Sequence, residues 1–231
     1  MNGARLVRAG VLGVWGGFFL WLWTTGEMTR YLGPRTEWVA LFGGVTLAAA
    51  AAATAVLARD GARTSVPSRE WVGMLVVVAP LITLLAVPGA GLGSLAASRR
   101  APGEGGSLAA GLTDPVPGEG APSFDDIHFA RDSEEYAAAA GISDGMKIEL
   151  TGFAAHYDDT PEAMFHLTRF FVSCCAADAV PYSVPVVSNM ELEEDQWVRV
   201  TGTLETTPQY GYVLEPTSIE KISEPDDPYL S

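Results

Sequence analysis

Hydrophobic and polar positions obey two different rules along this chain. In the first hundred residues the apolar positions form three unbroken runs, at about 9–25, 38–58 and 71–92. Each has the length that a helix needs to cross a hydrocarbon core of ~30 Å. No charged residue interrupts a run: Arg5 and Arg8 precede the first, and Glu27, Arg30, Arg35, Glu37, Arg59, Asp60, Arg63, Arg69 and Glu70 crowd the connections. Trp15, Trp21, Trp23, Trp38 and Trp71 lie towards run ends, where an amphipathic ring favours the membrane interface. From Met146 the rule changes to alternation with a period of two. MKIELTGFAAHY, MFHLTRFFVSC, VPYSVPVV, QWVRVTGTLET and YGYVLEPTSIEKI read as five short strands, separated by turn-forming clusters.

These patterns predict a membrane α domain of three transmembrane helices over residues 1–97, and a small all-β domain over 123–231. Residues 98–122, rich in Gly and Pro and without periodicity, read as a flexible linker. One helix precedes the strands: Ser123 with Asp126 marks a capping-box start, and Gly141 is placed to end it. Five strands in so short a span point to an OB-like five-stranded barrel, with an SH3-like barrel or a small sandwich giving nearly the same pattern. Gly152 and Gly202 fall in mid-strand, where a small barrel must bend.

The first run could serve instead as a cleaved signal peptide, but no Ala-x-Ala-like site follows it and two further runs do. A hairpin buried in a soluble core is the other reading for runs two and three, and charge-free runs this long are rare there. Gly13 with Gly17, and Gly44 with Ala48, are small-xxx-small steps for helix packing, unless they simply reflect an Ala/Gly-rich composition. The spans hold no ionisable residue of the kind that marks an ion pathway.

Charge sharpens the division. Residues 1–100 carry nine arginines against four acidic residues, and residues 101–231 carry five basic against 24 acidic, a net of −19. Without a basic patch to release counterions, the second half is not a nucleic-acid binder. An N-in arrangement places five arginines inside and four outside. That slight bias predicts a multi-pass plasma-membrane protein, in contact with the lipid bilayer, whose C-terminal domain is extracytoplasmic.

The chain's two cysteines, Cys174 and Cys175, are neighbours, which excludes a disulfide framework and a paired Cys-x-x-Cys zinc knuckle. In an extended strand their side chains point to opposite faces, and one thiol would pack as a small apolar residue while the other faces a surface near Asp178. A turn beginning at Cys174 would instead let Cys174, Cys175 and Asp178 converge with His156 or His166 on zinc or copper(I). A thiol enzyme would need His156 or His166 as its base, and nothing else completes a triad. The expectation is therefore a non-enzyme. On the second strand His166 and Arg169 lie on opposite faces, and a structural role is expected for each.

The stretches TGF, FHLTRFFVSCCAADAVP and QWVRVTGTL resemble the C-terminal domain of YcgQ-type membrane proteins, and TTGEMTRYLGPR and PLITLLAVPGAGLGSLAASRR resemble that family's membrane-domain ends. The resemblance implies an accessory subunit of a two-part permease, paired with a larger polytopic permease subunit. Many members carry a His-rich loop between the second and third helices. The corresponding loop here, ARDGARTSVPSRE, has no His, so no metal-delivery role carries over from it.

Overall fold

The structure is a computed structural model that describes residues 3–33, 35–59, 68–86, 92–100, 117, 120–158 and 160–230. It divides into two compact units, Met1–Gly91 and Leu92–Ser231.

In the first unit, α1 (Gly3–Thr25) and α2 (Glu37–Arg59) form an antiparallel pair joined through a 3-10 turn at Glu27–Arg30. Both are long and apolar enough to cross a membrane. Their contact is made by small residues. Gly16 lies so close to α2 that a Cβ there would stand 2.9 Å from the Ala48 amide nitrogen and 3.1 Å from the Gly44 carbonyl oxygen. Gly44 in turn receives Leu20. The expected Gly44–Ala48 step is thus used, but its partner is Gly16 rather than the Gly13–Gly17 step. Gly17 faces open space, and Gly13 makes ordinary contact with Ala51. Helical phase explains the difference, because Gly16 shares a face with Ala9 and with Leu20, whereas Gly17 is turned away by one residue. At the turn, Leu22, Met28 and Ala40 close a small apolar cluster with Phe18 and Phe19. At the other end, Arg5 donates to the Leu57 carbonyl at 3.0 Å.

The third predicted span, 71–92, is only partly matched. Helix α3 runs Ser68–Ala86 and contains Pro80, and its apolar stretch, which opens at Trp71, is shorter than those of α1 and α2. It is short of the ~20 residues a spanning helix requires. Trp15 donates to the Val77 carbonyl at 3.2 Å and ties α3 to α1.

In the second unit, six strands follow three short helices among the described residues: β1 (Met146–Ala155), β2 (Met164–Phe171), β3 (Val180–Val187), β4 (Trp197–Thr207), β5 (Gly211–Lys221) and β6 (Tyr229–Leu230). The first five close into a ring in the order β1-β2-β3-β5-β4 and back to β1. Within the ring all pairings are antiparallel except β3–β5, which meet in parallel at Val186 and Leu214, and β6 adds to β2 in parallel outside it. This closed five-stranded ring with one parallel join distinguishes the domain from the open sandwich that the strand pattern also allowed. Ile148, Leu150, Phe165, Leu167, Val184, Val186, Val198 and Val200 fill the interior. Gly152 and Gly202 occupy the predicted bends. A Cβ on Gly152 would come within 2.6 Å of the Thr168 carbonyl oxygen, and one on Gly202 would overlap the Glu215 backbone.

The helix expected before the strands is two. Helix α5 (Phe124–Asp132) begins with the Ser123–Asp126 capping box, and α6 (Glu134–Ala139) begins at Ser133. Ser133 adopts an extended conformation and its hydroxyl accepts from the Tyr136 amide at 3.1 Å. A side chain that bonds its local backbone this way starts a new helix rather than extending the old one. Phe124 and Ile127 then close one end of the barrel. The carboxylate of buried Asp126 is satisfied by the Tyr136 hydroxyl at 2.8 Å and the Ser123 amide at 3.0 Å.

Strand β2 is covered on both faces. Outside the barrel, Phe153, Ala155, Phe170, Val172 and Tyr229 form a second apolar cluster with Ala97 and Ala179. Ala97 comes from helix α4 (Ser94–Arg99), which packs with the barrel unit, although composition placed residues up to 97 with the membrane domain. The Asp195 carboxylate accepts from the Ser94 amide at 2.5 Å, and Gly93 has no room for a Cβ beside it. Most of the expected linker, 101–116 with 118–119, lies outside the described residues.

Gly152→Ala in a fragment of residues 92–231 should lower stability by about 2–3 kcal/mol, the cost of forcing a methyl group into a packed site. Urea unfolding measures it, and an unchanged midpoint would mean the bend is not tight. In the membrane unit, Gly16→Leu should separate α1 from α2 while Gly17→Leu leaves them packed. Cross-linking of engineered cysteines across the two helices in micelles reads the difference.

Candidate functional site

Two places in the barrel unit gather reactive side chains, one at each end of β2. The first is the turn between β2 and β3. Ala176–Asp178 form one turn of 3-10 helix, and Cys175 stands before it in an extended conformation. Asp178 builds this turn. Its carboxylate accepts from the amides of Ser173 at 3.0 Å, Cys174 at 2.9 Å and Cys175 at 3.2 Å, while its own amide donates to the Cys175 carbonyl at 2.9 Å. The result is the turn at Cys174 that brings the two sulfurs to the same side, 3.8 Å apart. Neither is in a disulfide. Donor atoms of Cys174, Cys175 and Asp178 all lie within 4.8 Å of one another.

The electrostatics of this turn are unusual. The Asp178 carboxylate, first by hydrogen bonding with the thiol, pushes Cys174 up to about 12, with Cys175 contributing in the same direction. Burial works to raise the pKa of Asp178, but the hydrogen bonds from Cys174, Cys175 and Ser173 outweigh it and hold the carboxylate below its usual range. A thiol kept protonated by a neighbouring carboxylate is the reverse of an activated nucleophile.

The second place is a cavity of about 650 Å³. It is lined by β2 and β3, by the loops that follow β1 and β4, and by α5. All three histidines of the chain border it: His128 from α5, His156 after β1, and His166 from β2. Tyr157, Tyr210 and Tyr212 supply aromatic walls. The Tyr157 ring lies 4.7 Å from that of His166, centroid to centroid, and its hydroxyl meets Ser183 at 3.1 Å. Ser183 meets buried Thr168 at 2.8 Å, so the floor of the cavity is a connected set of hydroxyls. His156 Nδ1 faces Glu194 at 3.0 Å. The Arg131 stem lies against Gly211, which adopts a positive φ of 73° and, being glycine, has no Cβ to collide with it.

The predicted ligand set is therefore divided. Cys174, Cys175 and Asp178 come together; His156 and His166 do not join them. Ala155 pairs with His166, and from there to Phe171 the strand advances five residues, roughly 17 Å at the usual rise. The histidines belong to the cavity and the thiols to the opposite end. Arg169, the other residue in question on β2, donates to the carbonyls of Asp227 at 2.6 Å and Pro228 at 3.3 Å, which secures the segment leading to β6. Arg131, Tyr157, Tyr210 and Tyr212 were not singled out from the sequence. The Tyr-Gly-Tyr triplet at 210–212 was the available signal, since two aromatics flanking a turn glycine project towards the same mouth.

The chain thus combines a closed five-stranded barrel with apolar helices compatible with membrane anchoring. Residues 123–230 match the DUF1980 C-terminal domain, a family of uncharacterised membrane-associated proteins to which this part of the chain is similar. No curated protein matches the sequence.

Burial, and after it the charge of Arg131, lowers the pKa of His128 from its ordinary 6.5. The unfolded chain then takes up a proton as pH falls through about 6.5 while the folded domain refuses it until lower pH. The contribution of His128 to stability is thus present above that pH and lost below it. Urea midpoints of the parent domain should fall between about pH 7 and pH 5, and His128→Gln should flatten that part of the decline. An identical decline in the variant would assign it to other groups.

Proposed function

We propose that the protein is a non-catalytic accessory subunit of a membrane permease, docked on a polytopic transport partner and presenting its barrel outside the cytoplasm. The observation that carries this reading is the character of the helices. α1 and α2 have no ionisable side chain between Arg8 and Glu27 or between Glu37 and Arg59. Their hydroxyls are spent locally: Thr46 and Thr54 each donate back to a carbonyl four residues earlier at 2.7 Å. Such helices offer a solute no pathway of their own. They do offer packing surface. Gly10, Gly17, Gly43 and Gly73 remain open, and large apolar side chains such as Trp38, Phe42 and Leu57 point outwards. Small residues let a partner helix approach closely, and the apolar remainder suits lipid.

The non-catalytic assignment rests on the Cys174 thiol, which is held protonated and lies at the far end of β2 from His156 and His166. The side of the membrane follows from the number of spans. An odd number puts the barrel opposite the N-terminus, and the third run remains uncharged in sequence from Trp71 to Leu92.

Purification in mild detergent should recover a polytopic protein in fixed proportion, and Gly17→Leu should release it without disturbing the α1–α2 pair. Recovery of the chain alone would overturn the docking role. Protease added to spheroplasts should cut between residues 103 and 120. Protection until the membrane is opened would place the barrel in the cytoplasm, as two spans from an N-in start require.

A further inference from the structure

We propose that the Cys174–Cys175–Asp178 turn is a binding site for one thiophilic divalent cation, zinc by preference, held between both thiolates and open on its remaining side. The strongest argument is a distance. Zinc–sulfur bonds are about 2.3 Å, and at a tetrahedral angle two such bonds place their sulfurs about 3.8 Å apart. The Cys174 and Cys175 sulfurs stand 3.8 Å apart with no ion present. Adjacent cysteines in a strand would point to opposite faces, so this separation is a property of the turn that Asp178 organises. Linear two-coordinate copper(I) would need a wider spacing, which favours zinc.

Charge accounting agrees with the geometry. Without metal the site holds two thiols and one carboxylate, a charge of −1. When a divalent cation binds, both thiols lose their protons to solvent, and cation, two thiolates and carboxylate again sum to −1. The hydrogen bond from the Cys174 thiol to Asp178 ends at that moment, which releases a carboxylate lone pair within 4.8 Å of both sulfurs. Asp178 thus organises the turn before binding and becomes a third ligand on binding.

The openness of the site gives it a role. Structural zinc sites are closed by four protein ligands. Here Cys174 is exposed, and among the described residues no other His, Cys, Asp or Glu joins the group. A site with at least one position left to solvent or to an incoming ligand suits an ion that is handed on. The turn is nevertheless anchored from beneath, because Arg100 donates to the Ala179 carbonyl at 2.9 Å and Ala179 is buried in the outer cluster. The site needs no transport partner, so it stands or falls independently of the docking role.

The test is titration of the full chain in detergent with cadmium, whose thiolate charge-transfer band reports sulfur ligation, followed by competition with zinc. Both thiols are first shown to be reduced. One cadmium per chain, displaced by zinc, is expected. Cys174→Ser and Cys175→Ser should each weaken binding at least 100-fold, taking about two log units as the loss of one of two thiolates. Asp178→Asn should weaken it about 10–100-fold. His156→Ala and His166→Ala should leave it unchanged. Because two protons leave, affinity should rise about 100-fold per pH unit near neutrality. Absence of the band, binding that survives either cysteine change, or pH-independent binding would each overturn the site. Saturation by copper(I) with zinc rejected would overturn the choice of ion.

Discussion

Strand β2 is the element on which the barrel unit depends, because it is buried on both faces. Phe165 and Leu167 enter the barrel interior, while Phe170 faces an outer cluster built with Phe153, Ala97 and Tyr229. Fully burying one such aromatic is worth roughly 2–3 kcal/mol, so the two clusters together fix this strand more firmly than a half-exposed one. Helix α4 and the short β6 exist as ordered elements largely because β2 offers them an apolar outer surface. The turns at the two ends of β2 are correspondingly fixed, and both candidate sites are built on them.

At one end, a single carboxylate does the organising. Asp178 collects three backbone amides that would otherwise lack partners in a tight turn, and in doing so it sets the directions of Cys174 and Cys175. The same charge that builds the turn suppresses ionisation of the thiol beside it. A thiol whose ionisation is suppressed in this way is held away from its nucleophilic form. At the other end, the cavity draws on α5 and the loop before β5 as well as β2 and β3. Its histidines, tyrosines and Arg131 make it a polar, aromatic chamber within a strongly acidic domain.

The membrane unit rests on a different constraint. Two apolar helices gain little from burying apolar surface in lipid, so their association depends on close backbone approach. Gly16 against Gly44 and Ala48 supplies that approach. Gly10, Gly17 and Gly43 are left on open faces, where a further helix could approach closely.

The sequence by itself determined the kind of each element. Unbroken apolar runs defined α1 and α2, period-two alternation defined the five barrel strands, and Ser123 with Asp126 marked the start of α5, because these signals are local and periodic. Gly152 and Gly202 were legible as bends for the same reason: only a tight approach requires glycine within a strand. The Cys-Cys pair was legible as a question with two answers, strand or turn. Tertiary structure chose the turn, through an Asp178 hydrogen-bond pattern that no residue spacing encodes uniquely. It also separated His156 and His166 from the thiols, since their position along β2 depends on strand register, and it assembled all three histidines around one cavity from segments far apart in sequence. The choice of Gly16 for the closest α1–α2 contact and the packing of α4 with the barrel were likewise decided by contacts between distant residues. Local pattern specifies what a segment is; only the closure of the barrel and the phase of packed helices specify which side chains meet.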